Sequence, residues 1–113
     1  MIIHSLKTCD TCKKAIKALT AAGHTPEVVD VRADGIDAAK LNDWIETAGP
    51  DAVVNKRSTT WRGLDEDQRA AADTKTGAVA LILANPTLLK RPVIEADGAL
   101  HIGWTKDVQA ALL

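Results

Sequence analysis

Two cysteines, Cys9 and Cys12, are the only cysteines of the 113-residue chain, and two lysines follow them directly in the stretch CDTCKK. Such a pair has three possible roles: two ligands of a metal ion, a structural disulfide, or a reactive thiol pair at the start of a helix. The choice depends on the other candidate ligands and on the elements that position the two sulfurs.

Candidate metal ligands are scarce. A zinc site needs about four ligands, whereas the chain offers these two cysteines, no second cysteine pair, and three widely spaced histidines, His4, His24 and His101. We therefore expect no metal site and no bound prosthetic group. His4 is expected on a strand, and His24 and His101 are expected to be solvated rather than catalytic.

The composition predicts a single globular domain. Hydrophobic residues make up 46% and charged residues 26%, and the net charge of −1 gives no bulk attraction to nucleic acid. The start of the chain lacks a signal peptide, and the longest apolar run, AVALILA, is too short to span a membrane. A cytoplasmic location follows, where thiols stay reduced, so a reactive pair is favoured over a permanent disulfide. Two inert buried thiols remain the alternative.

The first third of the chain reads as strand, helix, strand. MIIH is typical of a buried strand and residues 5–8 of a loop. A helix follows, with Asp10 or Thr11 as its cap and Gly23 as its end. The segment PEVVDV is typical of a second strand.

The middle of the chain is predicted to be helical from about residue 36 to 90. A helix capped by Asp37 and ended by Gly49 comes first. Residues 52–64 indicate a loop with short helical turns, and residues 65–74 a short exposed helix. The segment TGAVALILANP is compatible with a buried helix or a buried strand, and its length favours the helix.

The last part of the chain predicts a hairpin around Asp97 and Gly98 and a helix capped by Thr105. The order is then β-α-β, a helical insertion, and β-β-α. This order predicts an α/β protein with a thioredoxin-like (glutaredoxin-like) fold: a four-stranded mixed sheet in one domain over residues 1–113.

A helix that begins just after Cys9 would lower the pKa of that thiol. The unsatisfied N–H groups and the positive end of the helix dipole both favour a thiolate. Three nearby lysines add positive charge: Lys7, Lys13 and Lys14. Cys12, one turn further on, is placed to act as a resolving thiol that displaces whatever Cys9 has bound, leaving an intramolecular disulfide.

Two motifs taken together resemble the arsenate reductase-like family. They are CDTCKKA at 9–15 and NPTLLKRPVI at 85–94, and the order of elements is similar over essentially the whole chain. The family holds glutaredoxin-linked arsenate reductases, Spx redox regulators and small reductase-like proteins of uncertain substrate. The segment NKRSTTWRGLDE at 55–66 resembles the last branch, often described as glutathione-dependent thiol reductases.

The resemblance implies a role for several residues. It implies that Cys9 is the nucleophile, that Arg91 faces it as an anion ligand, and that Pro92 is a cis-proline beside the thiol. X-Pro bonds are where cis peptides are accessible, and arginine holds an oxyanion or carboxylate through two hydrogen bonds. The substrate-binding residues expected around them are Lys7, Thr11, Arg57 and Pro92.

The chain also departs from the family's pattern. Ser5 stands where arsenate reductases have a histidine, and Asn55 stands where they have an arginine. A further arginine of the family falls near Trp104, where this chain has no arginine. These departures speak against arsenate reduction. Cys12 departs too, since the two-cysteine spacing is that of the Spx regulators.

The expected function is a cytoplasmic thiol-disulfide reductase or thiol transferase acting on a small anionic or disulfide substrate. Glutathione is the expected co-substrate, with glutathione or a glutaredoxin- or thioredoxin-type protein as reductant. One alternative is an Spx-like regulator that binds RNA polymerase through a Cys9–Cys12 disulfide switch. A further alternative is an arsenate reductase.

Overall fold

A computed structural model describes all 113 residues, which form two compact units. The sheet unit comprises Met1–Asp34 and Arg91–Leu113, and the helical unit comprises Gly35–Lys90. In chain order the elements are β1 (Ile2–Ser5), α1 (Asp10–Ala21), β2 (Glu27–Asp30), α2 (Ala38–Ala48), α3 (Pro50–Val53), α4 (Thr59–Arg62), α5 (Glu66–Ala71), α6 (Lys75–Ala84), a 3-10 helix (Pro86–Leu88), β3 (Val93–Ala96), β4 (Ala99–Ile102) and α7 (Lys106–Leu112). No helix combines the length and the apolar composition that a membrane span requires.

The sheet unit contains the predicted four-stranded mixed sheet, with strand order β2-β1-β3-β4. Strands β1 and β2 are parallel, while β3 runs antiparallel to both β1 and β4. Ser5 pairs with Asp30, and His4 pairs with Val93. The carboxyl ends of β1 and β2 and the amino end of β3 therefore lie at one edge of the sheet. The α/β class and the thioredoxin-like order are confirmed.

The core of the sheet unit is aliphatic, in keeping with a chain that lacks Phe and Tyr. Ile3 and Ile94, paired across β1 and β3, are fully buried. Helices α1 and α7 cover this face of the sheet through a few buried side chains: Ala15, Leu19 and Val108. Each large aliphatic side chain buried in this way contributes roughly 1.5–3 kcal/mol.

The hairpin turn agrees with the prediction. Asp97 and Gly98 both have positive φ, 50° and 76°, as a two-residue turn matched to the twist of the strands requires. Thr105 caps α7, as expected, by accepting the amide hydrogen of Val108.

Three local predictions for the sheet unit were wrong. Ser5 belongs to β1 rather than to the following loop, because its pairing with Asp30 extends the strand by one residue. The cap of α1 is Cys9, not Asp10 or Thr11. The ring of His24 is not simply solvated, since its Nε2 lies 2.7 Å from the carbonyl oxygen of Leu112 in α7.

The helical unit has its own buried residues. The carboxylate of Asp37 accepts amide hydrogens at the start of α2, and Trp44 in that helix is 3% exposed. The ambiguous apolar segment is helical: it forms α6, which Thr74 caps and which packs against α2. A short antiparallel bridge pairs Val54, which follows α3, with Leu89, which follows the 3-10 helix.

Candidate active site

Cys9 itself caps helix α1. Its Sγ accepts the amide hydrogen of Cys12 at 3.3 Å, and its own N–H donates to the carbonyl of Leu6 at 2.9 Å. The sulfur thus takes the place of the side-chain oxygen that usually caps a helix. Sequence reasoning missed this because cysteine is not among the common capping residues. The expected position at the mouth of the helix was nevertheless right.

The pKa of the half-buried Cys9 thiol lies below its usual value as the result of opposing effects. Partial burial raises the pKa, while the thiol and the backbone amide of Cys12 and the guanidinium of Arg91 lower it. Hydrogen bonds to a thiolate and a nearby positive charge both stabilise the ionised form. Arg91, rather than the lysines singled out from the sequence, is the cation that acts most directly on this sulfur.

Cys12 is the opposite case. It is 1% exposed, and burial together with its hydrogen bond to Cys9 raises the pKa of its thiol to about 12. At neutral pH Cys12 therefore keeps its proton and donates it toward the Cys9 sulfur. Both cysteines are free thiols in this structure.

Arg91 and Pro92 lie where β3 begins, at the same edge of the sheet as the Cys9 loop. The peptide bond between them is cis, as the resemblance implies. Pro92 is buried, and its carbonyl oxygen accepts the amide hydrogen of Gly103 at 2.8 Å. Arg91 hydrogen-bonds to the Cys9 sulfur.

Asp30, at the end of β2, is a buried carboxylate that sequence reasoning missed. Its Oδ2 accepts the amide hydrogen of Lys7 at 3.1 Å, and its Oδ1 accepts those of Arg32 and Ala33 at 2.9 and 2.8 Å. These bonds, that of Ala33 first, hold its pKa below the usual range against the opposing effect of burial. The signal in the sequence was an acid that directly follows two valines at the end of β2.

The remaining predicted substrate-binding residues fall in different places. Lys7 and Thr11 are exposed in the loop before Cys9 and in the first turn of α1. Arg57 belongs to the helical unit, where it lines a cleft of about 290 Å³ together with Lys56 and Lys90. Lys56 is already paired with Asp51 at 2.8 Å.

The histidine and acidic side chains do not form a metal-binding site. His4 lies on β1, as expected, and its Nε2 is 3.1 Å from a carboxylate oxygen of Glu95 on β3. Histidine, cysteine and acidic side chains nowhere gather in a group of three that could hold a metal ion.

The arrangement has a definite chemical capacity. A thiol of lowered pKa provides a nucleophile, a guanidinium beside it provides charge for a developing thiolate or a bound anion, and a protonated thiol one turn away provides a second sulfur. These are the groups needed for attack on a disulfide or on an oxidised sulfur.

Known proteins are similar to this chain over nearly its whole length. The profile of the ArsC family matches residues 4–112. An uncharacterized protein of Haemophilus influenzae is 44% identical over 110 residues, covering 96% of each chain. The global transcriptional regulator Spx 2 of Lactococcus lactis is 24% identical, covering 98% of this chain and 84% of the regulator. The solved structure of a protein named YFFB superposes with a TM-score of 0.90 at 38% identity, covering 99% of this chain and 97% of that one.

Proposed function

The chain belongs to the ArsC family, and from that premise we propose that it is a thiol-disulfide reductase or thiol transferase linked to glutathione. Family membership supports either an arsenate reductase-like thiol reductase or an Spx-like regulator. The finer proposal concerns the substrate, a disulfide or a small oxidised anion, and the roles of three residues.

One observation carries the proposal: the Cys9 sulfur has a pKa below its usual value and accepts hydrogen bonds from both Cys12 and Arg91. A thiolate attacks disulfides, whereas a thiol does not, so any lowering of the pKa raises the reactive fraction at neutral pH. A half-buried sulfur remains accessible to a small substrate, while the buried Cys12 is protected.

In the proposed reaction the Cys9 thiolate attacks one sulfur of a disulfide. The S–S bond of the substrate breaks, a mixed disulfide forms on Cys9, and the other sulfur leaves as a thiolate. Arg91 stabilises the negative charge near the reacting sulfurs. Cys12, after giving its proton to solvent, or a glutathione thiolate then attacks the Cys9 sulfur of the mixed disulfide. A new S–S bond to Cys9 forms, the bond to the substrate breaks, and the second half of the substrate leaves as a thiolate.

Glutathione, or a glutaredoxin- or thioredoxin-type protein, returns the enzyme to the reduced state in this proposal. That requirement suits the cytoplasm, where the glutathione pool keeps thiols reduced. No bound cofactor is needed, because the electrons come from the thiols of the co-substrate.

Mass spectrometry after treatment with glutathione disulfide tests the proposal. In Cys12→Ser we expect a stable glutathione adduct on Cys9, and in the wild type we expect conversion to an internal disulfide. Cys9→Ser should form neither product and should not turn over glutathione with a small disulfide. A wild-type protein that forms no adduct, no bridge and no product would rule the proposal out.

A second candidate function is an Spx-like regulator. The paired cysteines and the similarity to the Lactococcus lactis regulator favour it. It requires a complex with RNA polymerase that differs between the reduced and the oxidised Cys9–Cys12 pair. A pull-down with the polymerase α-subunit that shows no complex in either redox state would exclude this candidate and leave the enzyme unaffected.

Arsenate reduction remains the weakest of the three. Ser5, which pairs with Asp30 across β1 and β2, stands where the arsenate reductases have a histidine, and Trp104, which packs against the core of the sheet unit, has no arginine near it in the sequence. Arsenate-dependent oxidation of glutathione at a rate comparable to disulfide reduction would reverse this ranking.

A further inference from the structure

We propose that a cleft beside the Cys9 loop binds the carboxylates of the low-molecular-weight thiol or disulfide that reacts with Cys9. This inference rests on the proposed function, since it names the place where the co-substrate is held. The cleft has a volume of about 350 Å³ and lies entirely within the sheet unit. Its lining residues are Leu6, Lys7, Thr8, Asp30, Arg32 and Ala33.

The cleft starts next to the nucleophile. Thr8, one of its lining residues, immediately precedes Cys9. The cleft therefore begins one residue from the nucleophile along the chain. The lining comes from two loops, one after β1 and one after β2, which meet because these parallel strands end at the same edge.

Two cations flank the cleft, and neither Lys7 nor Arg32 is engaged in an ion pair. Both side chains are exposed. An arginine binds a carboxylate through two parallel hydrogen bonds, and a lysine adds a mobile positive charge. Together they provide the charge that a molecule with two carboxylates would require.

Asp30 is the one acidic residue of the lining; its carboxylate is hydrogen-bonded to backbone amides and is also attracted by the charge of Lys7. Its carboxylate is buried and accepts the amide hydrogens of both Lys7 and Arg32. The same carboxylate therefore fixes the backbone positions of the two cations, although they come from different loops. The formal charge of the lining remains positive.

The rest of the lining is largely apolar. Leu6 and Ala33 offer aliphatic surface, and Thr8 adds a hydroxyl and a methyl group. The volume is at the lower end of the range for small-ligand pockets, about 300–1,000 Å³. An aliphatic molecule of short-peptide size with carboxylates at its ends matches this combination of size, charge and surface.

Glutathione disulfide is the probe for this site, because each half carries two carboxylates and one ammonium group. The reaction is the exchange described above: the Cys9 thiolate takes one half as a mixed disulfide, and the other half leaves as glutathione thiolate. No further oxidant or reductant is involved.

The experiment compares anionic and neutral disulfides in the Cys12→Ser background, where the adduct is stable. The rate of adduct formation on Cys9 is measured with glutathione disulfide and with uncharged hydroxyethyl disulfide. Arg32→Gln and Lys7→Gln should each slow the reaction with glutathione disulfide by about threefold, and the double variant by about tenfold. In each variant the reaction with the neutral disulfide should slow by a smaller factor than the reaction with glutathione disulfide. Added salt should reduce the difference between the cleft variants and the parent protein in their rates with glutathione disulfide.

Lys17→Gln provides the matched control, since Lys17 is an exposed lysine on α1 outside the cleft. It removes the same charge and should leave both rates unchanged. The inference is overturned if the cleft variants slow both disulfides equally, if they slow neither, or if Lys17→Gln slows glutathione disulfide as much as they do. Failure of the parent protein to react with either disulfide would instead contradict the proposed function.

Discussion

The thiol of Cys12 donates toward the sulfur of Cys9, and the backbone amide of Cys12 does so as well, at 3.3 Å. One cysteine thus provides two hydrogen-bond donors to the other. The pKa values separate accordingly: that of Cys9 falls below the usual range, and that of Cys12 rises to about 12. The two thiols of this motif are chemically unequal before any substrate arrives.

The first prediction concerns this inequality. Cys12→Ala should raise the pKa of Cys9, because it removes the side-chain donor and leaves only the amide. Cys12→Ser keeps a donor and should raise the pKa less. Alkylation of Cys9 by iodoacetamide, followed against pH by mass spectrometry, measures both shifts. In the wild type at neutral pH a single alkylation, on Cys9, is expected.

A Cys9 titration that is identical in the wild type and in Cys12→Ala would show that the thiol of Cys12 does not act on Cys9. Rapid double alkylation of the folded wild type at neutral pH would contradict the raised pKa of Cys12.

The second prediction concerns Arg91. Arg91→Met removes both a hydrogen bond to the Cys9 sulfur and its Coulomb attraction, so the pKa of Cys9 should rise and the alkylation rate at pH 7 should fall severalfold. Arg91→Lys should retain part of the effect, because it keeps the charge but loses the planar guanidinium. Lys90→Met, a loss of positive charge at the neighbouring and exposed position, is the control.

If Lys90→Met raises the pKa of Cys9 as far as Arg91→Met does, the change in pKa comes from the loss of net charge alone. The specific contact between Arg91 and Cys9 would then lose its support.

The third prediction concerns Asp30 and pH. The carboxyl pKa of Asp30 is lower in the folded protein than in the unfolded chain. Its ionised form therefore stabilises the fold fully at a pH above the ordinary carboxyl pKa of about 3.9. This contribution is lost as the pH falls from that value through the lower pKa of the folded protein. Asp30→Asn should therefore be less stable than the wild type at neutral pH, and the gap should shrink in acid. Denaturant unfolding at a series of pH values gives the two curves, and a gap independent of pH would contradict the prediction.

The fourth prediction concerns Gly77 in α6. A Cβ at this position would clash with the backbone oxygen of Ala71, so one of the two backbones must move. Gly77→Ala should therefore lower the free energy of unfolding by about 1–3 kcal/mol, although alanine is the better helix former by about 1 kcal/mol. Thermal or denaturant unfolding measures the change.

Gly63→Ala is the control for that variant. Gly63 has a φ of −80°, and an added Cβ would meet only ordinary contacts, the nearest at 3.5 Å from Thr60. If the free energy of unfolding of Gly77→Ala equals that of Gly63→Ala, the prediction is wrong, because α5 and α6 would then move apart without loss of stability.

The sequence predicted the features that depend on short-range pattern. The turn at Asp97 and Gly98 and the caps at Asp37 and Thr105 follow from residue types whose local hydrogen bonding or φ preference leaves few alternatives. The thiols at the start of α1 were recognisable for the same reason, since the helical pattern begins beside them.

The features that sequence missed depend on contacts between distant segments. Asp30 reads as a polar end to a strand, and only the meeting of two loops turns it into the acceptor for the Lys7 and Arg32 amides. His24 finds its partner, the carbonyl of Leu112, at the far end of the chain. Arg91 was implied by a resemblance rather than derived from charge or spacing, because no local pattern connects it with Cys9.

The pairing of β1 with β3 has a consequence for the protein during its synthesis. Cys9 emerges early, whereas Arg91 and the strand that brings it to the sulfur come near the end of the chain. Until β3 has paired with β1, the nascent polypeptide exposes a cysteine that lacks its guanidinium neighbour. The contribution of Arg91 to the lowered pKa of Cys9 is therefore present only once β3 has been synthesised and has paired with β1.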